Sequence, residues 1–230
     1  MDVDVIIPVH NGARFVGEAI DSALAQAFPG ALTVWCIDDA STDDSVAVLT
    51  AAAAQDGRIQ VLRNERNRGV AATRNLGVQA GSAEFIAFLD QDDLWWPGKL
   101  ALQLAALATG PALGYVTGLQ VLELVEGQPR PGWTRPEWFE RPQPGSIPST
   151  LLVRRRVFSE VGPLDETMMH GGDDTDWFAR ARRRGIPYRM LDVPVATRRV
   201  HSGNRSAAPG NEGDLLTAVR RHLTEPGATP

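Results

Sequence analysis

The sequence predicts an α/β protein, with a mainly parallel, Rossmann-like sheet flanked by helices and a smaller subregion after it. Three observations predict this. Short apolar runs alternate with helix-length amphipathic runs at βαβ spacing as far as residue 89. Each apolar run ends in a polar loop, and right-handed crossovers bring such loops to one edge of a sheet. The run Phe85-Ile86-Ala87-Phe88-Leu89 stops abruptly at Asp90, Asp92 and Asp93. A buried strand delivering acids to its C-terminal end is how an open α/β sheet presents a ligand site.

Residues 3–8 read as the first strand, stopped by Pro8. His10-Asn11-Gly12 makes a loop, and Phe15, Ala19, Ile20, Ala23 and Leu24 recur at helical spacing. Pro29-Gly30 precedes a second strand at 32–37, and the acidic loop 38–43 leads into a helix over about 44–55. Residues 58–63 form a third strand, 64–69 a polar loop, 70–80 a helix carrying Arg74 and Asn75, and 85–89 the fourth strand. A helix follows at 99–107, then one or two strands within 113–125. The Pro/Trp-rich stretch 127–149, with Trp133, Trp138 and Phe139, is either a binding lid or a loop packed down by its indoles. Residues 149–153 read as a strand, 154–161 as a short helix, and 186–195 as one or two closing strands. A lid at 202–213, a helix at 215–223 and a frayed end complete the chain.

Composition narrows the function. At 230 residues with 43% hydrophobic content the chain can bury a sizeable core. Its apolar runs are too short to span a bilayer, and the N-terminus has no signal-peptide pattern, which together point to a cytoplasmic protein. Attachment to a membrane surface stays open. Cys36 is the only cysteine, which excludes an internal disulfide and fits a reducing compartment. The net charge of −5 argues against general nucleic-acid binding. Lys99 is the only lysine, so other fixed side-chain cations are guanidinium groups.

The acids point to chemistry. Clustered Asp side chains repel one another unless a cation lies between them, and hard oxygen ligands favour Mg²⁺ or Mn²⁺. Such a cation is most useful when the substrate carries phosphates. A second acidic focus, Gly171-Gly172-Asp173-Asp174-Thr175-Asp176, opens a helix that ends in Arg182-Arg183-Arg184. Acids there suit the helix dipole, but three after two glycines exceed what capping requires. A third polar focus runs from Thr197 through Arg198, Arg199 and His201 to Arg205.

Ile7-Pro8-Val9-His10-Asn11, Ile37-Asp38-Asp39-Ala40-Ser41-Thr42-Asp43, Asn67-Arg68-Gly69 with Ala72-Thr73-Arg74-Asn75-Leu76-Gly77, and Leu89-Asp90-Gln91-Asp92-Asp93 stand in order over residues 3–100. This pattern resembles the family 2 glycosyltransferases of GT-A fold. The resemblance implies a nucleotide-sugar donor, Mn²⁺ or Mg²⁺, inversion at the anomeric carbon, and a smaller acceptor-side subregion. It implies a nucleotide-sugar half at 1–110, an acceptor and catalytic half at 111–205, and a loop, helix and tail at 206–230.

Residue by residue, the resemblance makes Asp39 the acceptor of a hydrogen bond from the base, favouring a uracil-type imide. Asp38 and Asp39 also suit a cap on the following helix. Pro8, Asn11 and Gln91 would line the donor site. His10 would stack on the base or be a plain loop histidine, and Arg74 would point at the nucleotide or be a solvated helix charge. Asp90 would hold ribose or water. Asp92 would hold the cation, with His201 completing its shell, and Asp93 would join them or cap the turn at 94–97. Arg198, Arg199 and Arg205 would neutralise phosphate. Asp173 and Asp174 match the family's acidic pair, with Asp174 in the place of the general base. Two adjacent carboxylates raise each other's proton affinity, which suits that role. The acceptor would be a hydroxyl of a glycan, lipid-linked saccharide, natural product or peptide. A nucleotidyltransferase would share the sheet and acids, but 9–13 lacks its glycine-rich basic cradle. A non-catalytic nucleotide-binding relative would be expected to lose one acidic focus, and both are here.

Overall fold

β1 (Val3–Val9) lies inside the sheet, and the first half of the chain is laid out from it. The computed structural model describes residues 1–168, 171–204, 206 and 216–218. α1 (Val16–Leu24) leads to β2 (Leu32–Asp38), α2 (Ser45–Gln55) to β3 (Ile59–Arg63), and α3 (Val70–Ala80) to β4 (Phe85–Phe88). These strands are parallel, in the order β3-β2-β1-β4. The chain steps outward from β1 to β3 and then crosses back to β4. The order therefore reverses between β1 and β4, and the crevice beyond their C-terminal ends is where such a sheet binds ligands.

The second half makes the sheet mixed. β8 (Leu152–Arg154) runs antiparallel between β4 and β6 (Tyr115–Leu124). β9 (Tyr188–Val200) runs parallel to β6, with β5 (Leu94–Trp95) antiparallel on its far side and β7 (Gln143–Pro144) antiparallel to β6. Two reversals restore the direction of β1, so the C-terminal ends of β6 and β9 rise to the same edge as those of β1 and β4. α4 (Lys99–Thr109), α5 (Arg155–Val161) and α6 (Asp173–Arg183) complete the layers.

Both faces of the parallel part are covered, which explains its unbroken apolar runs. Val3, Val5, Ile7 and Val9 join Ile20, Leu49 and Leu104 in one core, while Ile6 joins Ala71, Phe158 and Trp177 in the other. A Cβ on Gly77 would stand 2.6 Å from Ile6 Cγ2, so α3 approaches β1 as closely as it does only with glycine there.

Several expected boundaries move. Pro8 does not stop β1, which continues to Val9. Ile6 O accepts from Leu89 N at 3.0 Å, so Pro8, two residues on, turns its missing N–H toward a neighbour whose pairing ended opposite Ile6. Residues 149–153 split into a 3₁₀ turn at Pro148–Thr150 and β8. The closing strand is single and extends through Val200, so Arg198 and Arg199 lie on a strand, not in a loop. Neither Asp38 nor Asp39 caps α2, which starts after Asp44. Within 127–149 lie a 3₁₀ turn, Pro136–Phe139, and β7. Most of the expected 202–213 lid and the 215–223 helix, and all of 224–230, lie outside the described residues. No helix among the described residues is long and apolar enough to cross a membrane.

Lys99 is buried, with Nζ donating to Gln103 Oε1 at 2.7 Å and lying 4.1 Å from the centre of the Trp95 ring. Burial pulls its pKa well below the usual 10.5. Between that depressed value and 10.5 the unfolded chain binds more protons than the folded one, so stability rises with pH across the window. We predict that the stability of the wild type relative to Lys99→Met, from urea denaturation, climbs through the alkaline range up to about pH 10. A difference flat with pH would contradict this.

Candidate active site

The loops at the upper edge are joined by side chains. His10 Nδ1 bonds Asp39 O at 2.8 Å, and its Nε2 meets the amides of Asn67 at 3.2 Å and Asn11 at 3.3 Å. This pattern is that of a neutral ring protonated on Nδ1. Gln91 pairs with the main chain of His10 in both directions, at 2.8 and 3.1 Å. Asn11 adopts a left-handed φ of 51° and accepts from Thr42 N at 2.8 Å. Four loops, those after β1, β2, β3 and β4, thus meet at His10, three of them at its exposed ring and the fourth at its main chain.

Beneath it, Asp39 accepts from Asn64 Nδ2 at 2.8 Å and from Arg68 N and Gly69 N at 2.9 Å. A carboxylate has about four acceptor positions, and three are taken here. Asp38 lies deeper, bonded to Ser41 N and paired with Arg63 at 3.1 Å. It holds the loop.

Arg74 is not the solvated charge its sequence position also allowed. Its guanidinium is fully buried, with Nη1 2.7 Å from Asp173 and Nη2 bonded to Asp90. The expectation that it points at the nucleotide is corrected, because both Nη atoms bind protein acids. Asn75, next to it, pins the segment ahead of the second acidic focus through Leu164 (2.9 and 3.0 Å) and Glu166 (3.1 Å). The Arg-Asn pair therefore draws two acidic foci, far apart in sequence, to one helix.

Asp173 is corrected as well. It is completely buried against Arg74, out of reach of an acceptor, and the two acids of the pair are not a bare like-charge couple. Asp174 is half-buried, accepts from Thr175 N at 2.7 Å, and borders a small cavity with Arg74, Phe88, Trp177 and Phe178. Of the two, only Asp174 is partly exposed.

Of the three residues expected at a cation, Asp92 and His201 lie together and Asp93 turns away. His201 Nε2 lies 3.0 Å from Asp92 Oδ2. Its Nδ1 lies 3.2 Å from Gly203 N, and its ring lies 4.8 Å from that of Phe15. Asp93 points inward, accepting from Ser149 Oγ at 2.6 Å and Arg199 N at 3.3 Å. Burial, and then the nearby charges of Asp92 and Asp90, push its pKa well above the usual carboxylate range. It does not cap the 94–97 turn with its side chain or join a ligand cluster. Among the described residues no three His, Cys, Asp or Glu side chains form a metal cage. Asp92 with His201 still fits Mn²⁺ or Mg²⁺ at a phosphate, where the substrate and water supply most of the ligands.

Arg199 is redirected too. Its Nε donates to Asp92 O at 2.5 Å, Nη1 to Glu18 at 2.5 Å and Nη2 to Phe15 O at 3.3 Å. It fastens the base of α1 to the acidic loop and cannot neutralise phosphate while so engaged. Arg198 lies over Trp133, 4.9 Å from the ring centre, and bonds Ser206 at 2.6 Å. Arg205 lies outside the described residues. Sequence reading missed Asn204, whose buried amide donates to Asp92 Oδ2 at 2.9 Å, and Ser149, which bonds both Asp93 and Asp90 N. An Asn three residues after a candidate histidine was the one signal available for Asn204; Ser149 had none.

A doubly covered sheet with acids at the β1/β4 reversal is the GT-A arrangement found among glycosyltransferases. The Glycosyl transferase family 2 model matches residues 4–162, and the chain belongs to that family. It is 31% identical to succinoglycan biosynthesis protein ExoU of Rhizobium meliloti, over 96% of this chain and 74% of that one. It is 35% identical to WfgD of Escherichia coli, a UDP-Glc:alpha-D-GlcNAc-diphosphoundecaprenol beta-1,3-glucosyltransferase, over 46% of this chain and 40% of that one. The same fold occurs in Staphylococcus aureus TarS bound to UDP-GlcNAc (TM-score 0.74, 19% identity, 96% of this chain and 65% of that one). It occurs also in the mannosyltransferase PcManGT from Pyrobaculum calidifontis with GDP-Man and Mn²⁺ (TM-score 0.76, 21% identity, 99% and 65%).

Proposed function

We propose that this chain is an inverting, divalent-cation-dependent glycosyltransferase that moves a sugar from a nucleoside-diphosphate donor, UDP-type favoured, to an acceptor hydroxyl. The observation that carries it is the Arg74 bridge, which sets the acids after β4 beside the acids that open α6. In this reading Pro8, His10, Asn11, Asp39, Asp90 and Gln91 shape the donor site. Asp92 and His201 hold Mn²⁺ or Mg²⁺, which when bound offsets the charge of the departing diphosphate. Asp174 takes the acceptor's proton as that oxygen attacks C1, and the C1–O electron pair leaves with the nucleoside diphosphate. Residues 1–110 serve the donor and 111–205 the acceptor. A saccharide acceptor is favoured, since the names of ExoU and WfgD both speak of polysaccharide or lipid-linked saccharide assembly.

The test is a panel of UDP- and GDP-sugars with Mn²⁺ and saccharide acceptors, scored for release of nucleoside diphosphate and for the anomeric configuration of the product. Pyrophosphate release would indicate nucleotidyl transfer instead. Binding without turnover of any donor, including hydrolysis, would leave a binding protein.

A further inference from the structure

We propose that Arg74 is a positioning residue that ties the two acidic loops into one unit, holding Asp90 with one arm of its guanidinium and Asp173 with the other, without contacting the donor. This rests on the reading of Asp174 as the base. Arg74 sits within α3, completely buried, and its partners lie 16 and 99 residues away along the chain. Burial opposes its charge, but the carboxylates of Asp90 and Asp173 outweigh that and keep the guanidinium protonated.

The start of α6 needs such a tie. It follows Gly171 and Gly172, at φ 146° and 86°, so its N-cap position, Gly172, offers no side chain. Glycines restrict the backbone little, so the direction of such a start is set by what its first side chains bind. The bond to Asp173 supplies that direction. Asp174, the next residue, inherits its aim, and Asp90 on the other arm fixes where the donor site lies relative to it. A planar fork can serve two carboxylates on different elements, and a lysine ammonium, a single point on a flexible stem, cannot hold both in place.

The test uses the full chain as Arg74→Lys, Arg74→Gln, Asp173→Asn and Arg74→Gln/Asp173→Asn. Affinity for UDP or GDP with Mn²⁺, whichever the wild type binds, is measured by calorimetry, kcat and KM with the active donor, and stability by urea midpoint. Arg74→Lys is expected to lower kcat at least about tenfold, because misplaced groups lose rate steeply, with a smaller loss of nucleotide affinity through Asp90. The midpoint losses of Arg74→Gln and Asp173→Asn are expected to be strongly non-additive, with the double variant recovering stability. Should Arg74→Gln fail to fold, Arg74→Lys and the double variant still decide. Additive midpoints, or nucleotide binding weakened tenfold with kcat unchanged, would overturn the proposal. The stability cycle involves no turnover, so it stands or falls separately from the base assignment, which full activity in Asp174→Asn would remove.

Discussion

Asp174→Asn is expected to lower kcat by at least about 10²-fold while leaving nucleotide affinity nearly intact, the usual scale for loss of a general base. The amide keeps the shape of the carboxylate and can still accept from Thr175 N, so the start of α6 is preserved. What goes is the ability to take a proton. A hydroxyl attacking C1 must lose its proton during or just after bond formation, and without an acceptor in place it is a poor nucleophile. Asp173 cannot substitute, since Arg74 occupies it in the interior. Steady-state kinetics with calorimetry decide the matter, and full activity in the variant would move the base elsewhere.

Asp92→Asn is expected to abolish divalent-dependent turnover. Asn204 and His201 already converge on Asp92 Oδ2, so an amide can retain part of this bonding and the loop need not collapse. The negative charge is lost, and with it the attraction for a hard cation. In the wild type Mn²⁺ should tighten binding of the cognate nucleotide diphosphate; in the variant that enhancement should vanish. Equal enhancement in both proteins would show that the cation is held by other groups.

The parallel half of the fold was legible because its signals are local. Strands buried on both faces read as apolar runs, and each stops at a loop with its own motif. The second half was less legible because its pairing depends on contacts across long stretches of chain. Nothing near residue 186 announces that one strand will run on to Val200, bulging against β6 as it goes. Within the site, the type of each acid could be read but not its direction. Asp92 and Asp93 are adjacent and chemically alike, yet one faces the crevice and the other faces Ser149, a partner 56 residues away. Arg199 shows the same limit. A guanidinium beside a candidate histidine suggests phosphate until Glu18, from the first helix, is found to occupy it.

The burial of Lys99 has a practical side. It carries the chain's sole ε-amine, enclosed by Trp95 and Gln103, while the remaining cationic side chains are arginines that acylating reagents spare. In the native state, succinimidyl esters should label the α-amino group alone, and a second label should appear only as the domain opens. Mass spectrometry of labelled samples along a denaturant series would thus report unfolding from a single interior atom, with no engineered probe.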